Sequence, residues 1–350
     1  VVTNTNDSGD GSLRWAIQQA GTNGNGNITF DSSLAGKTIT LQSDLTAWDD
    51  ATWGGATIGN SSQNFTLTGL VDATGAPCIT INGNGHWGIA ATGSGTFSVS
   101  NLIFTNFAYD TNAATHEGFG AVLCTGGTYS SVSITNNIFG YNTMTCTDQA
   151  SILSLSANSD PYEVKIDRCA FMHNTVTSTG DGASGNSPVG PVVYLMSDVA
   201  TITNSLFANN TFTAGSTKKA YGGGAFANSG SLKVFNDTFY NNSITNTGTG
   251  GAAGPVVGDY GYNSSATHSA TLQMYNNIMI GNTANGVEAT YFCAAAAEND
   301  GYSAAYSGAN NLITGQPFQN AASDDFTLSS TATDAVDKGD NTYATNLYDA

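Results

Sequence analysis

The middle of the chain is built from one short pattern of apolar and polar positions that recurs at nearly regular intervals. The pattern reads apolar-x-Asn-x-(small or apolar)-Phe-x-x-Asn. Its copies are ITNNIFGYN, IDRCAFMHN, ITNSLFANN, VFNDTFYNN and MYNNIMIGN, which begin at Ile134, Ile166, Ile202, Val234 and Met274, with a shorter copy at Val99. The aromatic position is Phe139, Phe171, Phe207 and Phe239, then Met279, so the period is 32 to 40 residues. A pattern with such a period indicates a solenoid or another repeat array.

Each copy alternates apolar with polar positions and is rich in β-branched and aromatic residues, which predicts a strand rather than a helix. A second apolar run precedes each copy, for example GGAF at 223–226. One repeat therefore holds two or three short strands joined by turns. This is one coil of a parallel β-helix, in which coils stack at ~4.8 Å and share a continuous core. The general preference for right-handed crossovers predicts a right-handed helix, so the expected class is all-β.

The asparagine that closes each copy recurs in register. We expect these side chains to form a hydrogen-bonded ladder at a corner of the coil and their backbones to take the left-handed turn conformation. The ladder residues are Asn142, Asn174, Asn210, Asn242 and Asn282. A second asparagine column runs through Asn136, Asn204, Asn236 and Asn276, with Arg168 as its exception.

The regions outside the array complete a single elongated domain, residues 1–350. Residues 12–21 begin with a serine, carry apolar side chains at helical spacing and end in a glycine, which predicts a short helix that caps the first coil. We expect residues 1–98 to hold this cap and the first coils, and residues 99–282 to be the repeat array. Residues 283–312 are interpreted as an irregular insertion and residues 313–350 as a C-terminal coil.

Three segments carry a resemblance to a known group of proteins. DSGDGSLRWAI at 7–17 resembles the opening segment of bacterial and archaeal surface β-helix proteins with a CSLREA-like N terminus, with Gly11 at the position of the cysteine. GGAF at 223–226 and FYNN at 239–242 resemble the GGA and FxxN motifs of polymorphic outer-membrane protein repeats, and residues 317–339 are similar to their closing coil. The resemblance spans nearly the whole chain. It implies a right-handed β-helix displayed outside the cell, as in adhesins, surface fibres and some polysaccharide-active proteins.

Charge narrows the range of partners. Eight Lys and Arg against 26 Asp and Glu give a net charge of −18, which disfavours nucleic acid and anionic membrane surfaces. The chain contains no run of about 18 apolar residues, so insertion into a membrane is not expected. No signal peptide is recognisable, which predicts a processed chain. The Asn, Thr, Ser and Gly content with few lysines is typical of an exported protein. No metal-ligand spacing occurs, so no cofactor is expected, although loops rich in Asp, Asn and Gly could hold Ca²⁺.

One rung gathers charged side chains. Lys165, Asp167, Arg168 and His173 lie within nine residues, and strand alternation puts Lys165 and Asp167 on the same outward face. A polysaccharide lyase needs a base and a cation that neutralises a uronate, so these four residues are candidate catalytic groups. The alternative is a surface ion pair without a function.

The leading interpretation is a non-catalytic extracellular or cell-surface protein, structural or adhesin-like, that self-assembles head to tail into a filament or binds a surface glycan or protein. A secreted polysaccharide lyase or glycoside hydrolase is the first alternative. A glycan-binding module is the second, with Trp48 and Trp53 as candidate stacking residues in a polar loop.

Overall fold

The repeated pattern folds into strands that pair in parallel with the equivalent strands of the neighbouring repeats. The computed structural model describes residues 1–23, 26–45, 64–110, 119–146, 150–156, 163–180, 190–197, 199–227, 231–261, 270–295, 304–335 and 338–340. The predicted all-β class, a parallel β-helix with a short N-terminal helix, is confirmed.

The regular elements are short and follow one another closely. The helix is α1 (Leu13–Asn23), and single 3₁₀ turns lie at Ser32–Leu34 and Ala321–Ser323. The strands are, in chain order, β1 (Gly26–Thr29), β2 (Thr38–Thr40), β3 (Phe65–Thr68), β4 (Thr80–Asn82), β5 (Ile89–Ser100), β6 (Ile103–Thr105), β7 (Ala108–Asp110), β8 (Phe119–Thr135), β9 (Ile138–Gly140), β10 (Thr143–Cys146), β11 (Ala150–Ser156), β12 (Glu163–Asp167), β13 (Ala170–Met172), β14 (Thr175–Ser178), β15 (Val193–Met196), β16 (Val199–Thr203), β17 (Leu206–Ala208), β18 (Thr211–Ala214), β19 (Ala220–Tyr221), β20 (Ala225–Ala227), β21 (Ser231–Phe235), β22 (Thr238–Tyr240), β23 (Ser243–Asn246), β24 (Ala252–Ala253), β25 (Val257–Gly261), β26 (Ala270–Tyr275), β27 (Ile278–Ile280), β28 (Thr283–Ala284), β29 (Val287–Glu288), β30 (Tyr291–Ala295), β31 (Ala304–Ala309), β32 (Phe318–Asn320) and β33 (Asp325–Leu328).

Three sheets form the faces of the solenoid. The largest has 14 strands and contains two columns, one ending at β30 and the other at β31. The eight-stranded sheet runs in the order β2-β4-β6-β9-β13-β17-β22-β27, and the seven-stranded sheet in the order β29-β28-β23-β18-β14-β10-β7. Among the described strands of these three sheets, all pairs are parallel except β28 with β29.

The phenylalanine of each repeat points inward and stacks on the one before it. Ring centroids along the column lie 4.6 to 5.1 Å apart, and the rings are nearly parallel. The column is Phe104, Phe139, Phe171, Phe207 and Phe239, all fully buried, followed by Met279. Each buried ring contributes about 1.5–3 kcal/mol relative to exposure, so this column explains why the repeat keeps the aromatic position.

The predicted asparagine ladder is confirmed. In every rung before Asn282 the carboxamide Nδ2 donates to the Oδ1 of the next ladder residue and to a backbone carbonyl. Asn174 Nδ2, for example, donates to Asn210 Oδ1 at 3.0 Å and to the Phe139 carbonyl at 2.9 Å. Asn142, Asn174, Asn210, Asn242 and Asn282 are all buried. The expectation that their own backbones take the left-handed turn is wrong. Positive φ falls on the preceding residue, namely Tyr141, His173, Asn209, Asn241 and Gly281, because the ladder side chain must already point inward.

A second ladder of inward-pointing side chains lies at the corner before the eight-stranded sheet. In each repeat its member is the residue that follows the second asparagine column. It contains Asn137, Cys169, Ser205, Asp237, Asn277 and Asn311. Asp237 Oδ1 accepts from Ser205 N–H at 2.7 Å, whereas its Oδ2 is buried with no hydrogen-bond partner. Burial raises the pKa of the Asp237 carboxyl well above its ordinary value, and the nearby Asp167 adds to the rise. Asp237 therefore occupies the ladder position that Asn137 and Asn277 hold in other rungs, and its burial favours the neutral form of the carboxyl.

The N-terminal helix covers the first coil. Leu13, Ala16, Ile17 and Ala20 are buried in the solenoid core, and Ser12 Oγ accepts from Trp15 N–H at 3.1 Å as the helix cap. The Arg14 guanidinium donates to Asp7 Oδ1 at 2.8 Å and to the backbone carbonyls of 43–45, so it ties the helix to two neighbouring segments.

The described residues at the C-terminal end differ from two interpretations made from the sequence. Within 283–312, expected to be an irregular insertion, the described strands β30 and β31 pair in parallel with β25 and β26, and Leu312 bridges Ile278, as in a further rung. Residues 313–350 were expected to form a closing coil, but within the described part β32 and β33 form an antiparallel hairpin. Phe318 and Phe326 of this hairpin pack on Tyr240, on the outer face of the eight-stranded sheet, with ring centroids 5.5 Å from it.

Candidate functional site

The charged residues of the rung that begins with β12 form two separate ion pairs on the outer face of this strand. Lys165 Nζ lies 3.0 Å from Glu163 Oε2, and Arg168 Nε lies 2.8 Å from Asp167 Oδ2. The predicted outward placement of Lys165 and Asp167 is correct, since only Val164 and Ile166 of this strand are buried. All four charged side chains are at least 30% exposed, so the pairs contribute little to stability.

His173 is not part of this cluster. It lies at the other end of β13, where its Nε2 is 2.8 Å from Asp324 Oδ2 and its ring stacks on Tyr141. Asp324 Oδ1 also accepts from Asn209 Nδ2 at 3.2 Å, so this corner anchors the C-terminal hairpin. The four candidate catalytic residues are therefore divided between two corners of one rung, and His173 has a structural partner. Among the described residues no group of three or more His, Cys, Asp and Glu side chains could hold a metal ion.

The candidate stacking residues Trp48 and Trp53 lie outside the described residues.

A groove runs along the corner where the outer asparagine column meets the eight-stranded sheet. The column residues Asn136, Arg168, Asn204, Asn236, Asn276 and Asn310 all have positive φ, between 51° and 59°. This backbone conformation turns the side chains outward, while the next residue of each rung points into the inner ladder. Ile138, Ala170, Leu206 and Thr238, the first residues of their strands, form a largely apolar floor beside the column.

The groove has two walls. One is a tight turn at residues 71–77, where Asp72 Oδ1 accepts from the N–H groups of Thr74 and Ala76, and Gly75 accepts from Asn136 Nδ2 at 3.0 Å. The other wall is the C-terminal hairpin. Phe326 stands between two cavities of ≈390 and ≈310 Å³, and its ring lines both of them.

The middle of the groove presents hydrogen-bonding groups without protein partners in the described part of the chain. Arg168 Nε donates to Asp167, so the two Nη groups of Arg168 remain available to a ligand. Asn204 Nδ2 donates to Asp167 Oδ1, so the Oδ1 of Asn204 remains available. Asn236 Oδ1 accepts from Asn276, so the Nδ2 of Asn236 remains available. At the far end Asn276 is occupied, because its carboxamide pairs with both the N–H and the carbonyl of Asp340, at 2.9 and 3.2 Å.

Among the described residues, the core columns at the C-terminal end of the solenoid finish in partly exposed side chains, whereas α1 covers the core at the N-terminal end. Three inward columns end in side chains that are half exposed: Val257 is followed by Tyr291, Leu272 by Tyr306, and Met279 by Ile313, with exposed fractions of 41%, 40% and 51%. Tyr291 and Tyr306 stack with ring centroids 4.0 Å apart. We call these three residues and the outer edges of β30 and β31 the C-terminal face.

Sequence reasoning missed Phe326 as a groove residue and the last rung as part of the array. A signal for that rung exists: Ala309-Asn310-Asn311-Leu312 matches Tyr275-Asn276-Asn277-Ile278 of the preceding repeat. No comparable signal places Phe326 in the groove, because its position depends on the return of the C-terminal hairpin along the sheet.

Comparisons with known proteins give no relative: no family model, no curated protein and no solved structure matches the chain. Within the described residues, no helix has the length and apolar character needed to cross a membrane.

Proposed function

We propose that this chain is a non-catalytic extracellular protein, structural or adhesin-like, that associates with a second copy through the C-terminal face. The observation that carries the proposal is the difference between the two ends. Helix α1 covers the core at the N-terminal end, whereas Tyr291, Tyr306 and Ile313 continue the core columns into solvent at the other.

The edge strands of the C-terminal face also favour association with a second copy. Among the described strands, β30 and β31 each have a parallel neighbour on one side only, so one row of backbone groups faces outward. Such edges pair readily with another strand. The small residues of β31, which include Ala305, Ser307 and Gly308, allow close approach of a second backbone.

The arrangement favoured by these ends is a two-fold dimer in which two C-terminal faces meet. Head-to-tail stacking, expected from the sequence, would place the C-terminal face against α1, which carries the polar side chains of Gln18 (exposed) and Gln19 (half-buried) away from the core. Two identical faces are self-complementary under a two-fold axis, and the edge strands then pair antiparallel. Extracellular placement rests on the exported-type composition and on the resemblance to surface β-helix proteins.

Sedimentation velocity over a range of concentrations tests the association. Tyr306→Glu puts a carboxylate on each side of the interface, so we expect at least a tenfold rise in the dimer dissociation constant, about 1.4 kcal/mol. Tyr141→Glu is the matched control, because Tyr141 is 59% exposed on the side of the solenoid. A chain that stays monomeric at every concentration, or a Tyr306→Glu variant that associates like the control, would refute the proposal.

A further inference from the structure

We propose that the groove beside the outer asparagine column binds an extended, uncharged oligosaccharide that lies along the solenoid axis. The site is on the lateral face, away from the C-terminal face, and it does not depend on end-to-end association. It would give a scaffold of this kind a specific ligand in addition to a second copy of itself.

The first argument is the set of hydrogen-bonding groups. Arg168, Asn204 and Asn236 line the ≈390 Å³ cavity from three successive rungs. Arg168 Nη, Asn204 Oδ1 and Asn236 Nδ2 have no protein partner in the described part of the chain, because the bonded atoms of these side chains are Nε, Nδ2 and Oδ1. Their side chains project from backbone fixed at positive φ by the rung geometry, so the donors and acceptors are preorganised. Donors alternating with acceptors suit hydroxyl groups, since a hydroxyl can serve as either.

Neighbouring members of the column show that its carboxamides bind segments that cross them. Asn136 donates to the Gly75 carbonyl, and Asn276 forms two hydrogen bonds with the backbone of Asp340. Between these two occupied positions the column is open. The structure thus limits the ligand to a chain that spans about three rungs.

The spacing of the rungs decides between a sugar chain and a peptide. Successive column residues are one strand spacing apart, ~4.8 Å, whereas an extended peptide advances only ~3.3 Å per residue. A peptide along the axis therefore loses register with the column within a few residues. An extended β-linked pyranose chain advances by about one strand spacing per sugar, so each ring can meet one column residue.

Apolar surface and charge complete the match. Ile138 and Leu206 provide an aliphatic floor, and Phe326 provides a ring held by edge contacts to Tyr240 and Phe318, as in sites that combine apolar walls with a few placed polar groups. Arg168 is neutralised by Asp167 at 2.8 Å, and the chain carries −18 overall. An acidic polysaccharide is therefore repelled, and an uncharged one is not.

Isothermal titration at low protein concentration tests the site, with cellotriose, laminaritriose and mannotriose as uncharged probes, trigalacturonate as the acidic probe and a blocked threonine-alanine peptide of about five residues as the peptide probe. The variant Asn204→Gly/Asn236→Gly removes two carboxamides while glycine keeps the positive φ. Phe326→Leu keeps apolar contact with the hairpin and removes the ring. Asn241→Gly is the matched control, because Asn241 has φ 52° at the opposite corner, outside the groove.

We expect at least one uncharged probe to bind, with a dissociation constant raised at least tenfold in Asn204→Gly/Asn236→Gly and at least fivefold in Phe326→Leu. Asn241→Gly and the assembly variant Tyr306→Glu should bind like the unmodified chain, which separates this site from the association proposed above. The proposal is overturned if no uncharged probe binds at millimolar concentration. Binding of only the acidic or the peptide probe, or sugar binding unchanged in both groove variants, overturns it as well.

Discussion

Replacing Asp237 by asparagine should stabilise the solenoid. The register aligns Asp237 Oδ2 with Asn277 Nδ2, which donates to the Val234 carbonyl at 2.9 Å and to Asn311 Oδ1 at 3.0 Å. The two groups at the equivalent positions beside Asp237, a backbone carbonyl and the side-chain oxygen of the next ladder residue, are acceptors as well. Asp237 can therefore donate to only one of them, and only when its carboxyl is protonated. An asparagine supplies two donors and needs no proton.

The gain depends on pH in a definite direction. Burial raises the pKa of Asp237 in the folded chain well above the ordinary value of 3.8, so the folded chain keeps a proton that the unfolded chain releases. Stability of the unmodified chain therefore falls as pH rises above about 4, by about 1.4 kcal/mol for each pH unit, until the folded pKa is passed. Asp237→Asn has no such loss. An additional buried hydrogen bond adds about 1 kcal/mol at any pH.

Urea unfolding of both chains at pH 5, 6 and 7 measures this difference. We expect Asp237→Asn to be the more stable chain, and its advantage to grow as pH rises above the ordinary carboxyl pKa of 3.8, because the folded carboxyl holds its proton to higher pH than the unfolded one. Asp10→Asn is the control, because Asp10 is an exposed carboxylate in the N-terminal segment and is not among the groups that shift the pKa of Asp237. A variant that is less stable, or an advantage that does not change with pH, would refute the assignment of Asp237 as a buried neutral acid.

Two further substitutions test the ladder and the cap by the same unfolding assay. Asn210→Ala should cost about 3 kcal/mol or more, because the Phe171 carbonyl and the Asn174 N–H lose buried partners; a loss below 1 kcal/mol would contradict the ladder's role. Gly11→Ala should cost about 1–3 kcal/mol, since φ is +77° and a Cβ would lie 2.2 Å from Thr3 Oγ1; an unchanged midpoint would contradict this placement.

The solenoid, its aromatic column and its asparagine ladder could be predicted because each depends on residues that recur at one position of the repeat. Each residue of the aromatic column (Phe139 to Phe239) and of the ladder (Asn142 to Asn282) contacts the residue at the same position of the next repeat. Aligning the repeats in the sequence therefore gives these contacts directly. The helix at 12–21 was predictable for a similar reason, because its cap and its apolar stripe are local signals.

Features that depend on unlike residues or on distant segments could not be predicted in this way. The inner ladder mixes Asn137, Cys169, Ser205 and Asp237, which share a hydrogen-bonding position but no residue type. The hairpin of β32 and β33 alternates like a rung, yet Phe318 and Phe326 pack on the outside of the sheet, a choice that the strand pattern does not encode. The groove arises from that hairpin, from the turn at 71–77 and from the column together.

Negative-stain electron microscopy of the chain at low and high concentration shows which ends of the solenoid meet. We expect single rods at low concentration and rods of twice the length at high concentration, joined at the C-terminal faces about a two-fold axis, with Tyr306→Glu remaining single. Continuous filaments would indicate head-to-tail stacking, and single rods at every concentration would indicate no association. Either result would refute pairing through the C-terminal face.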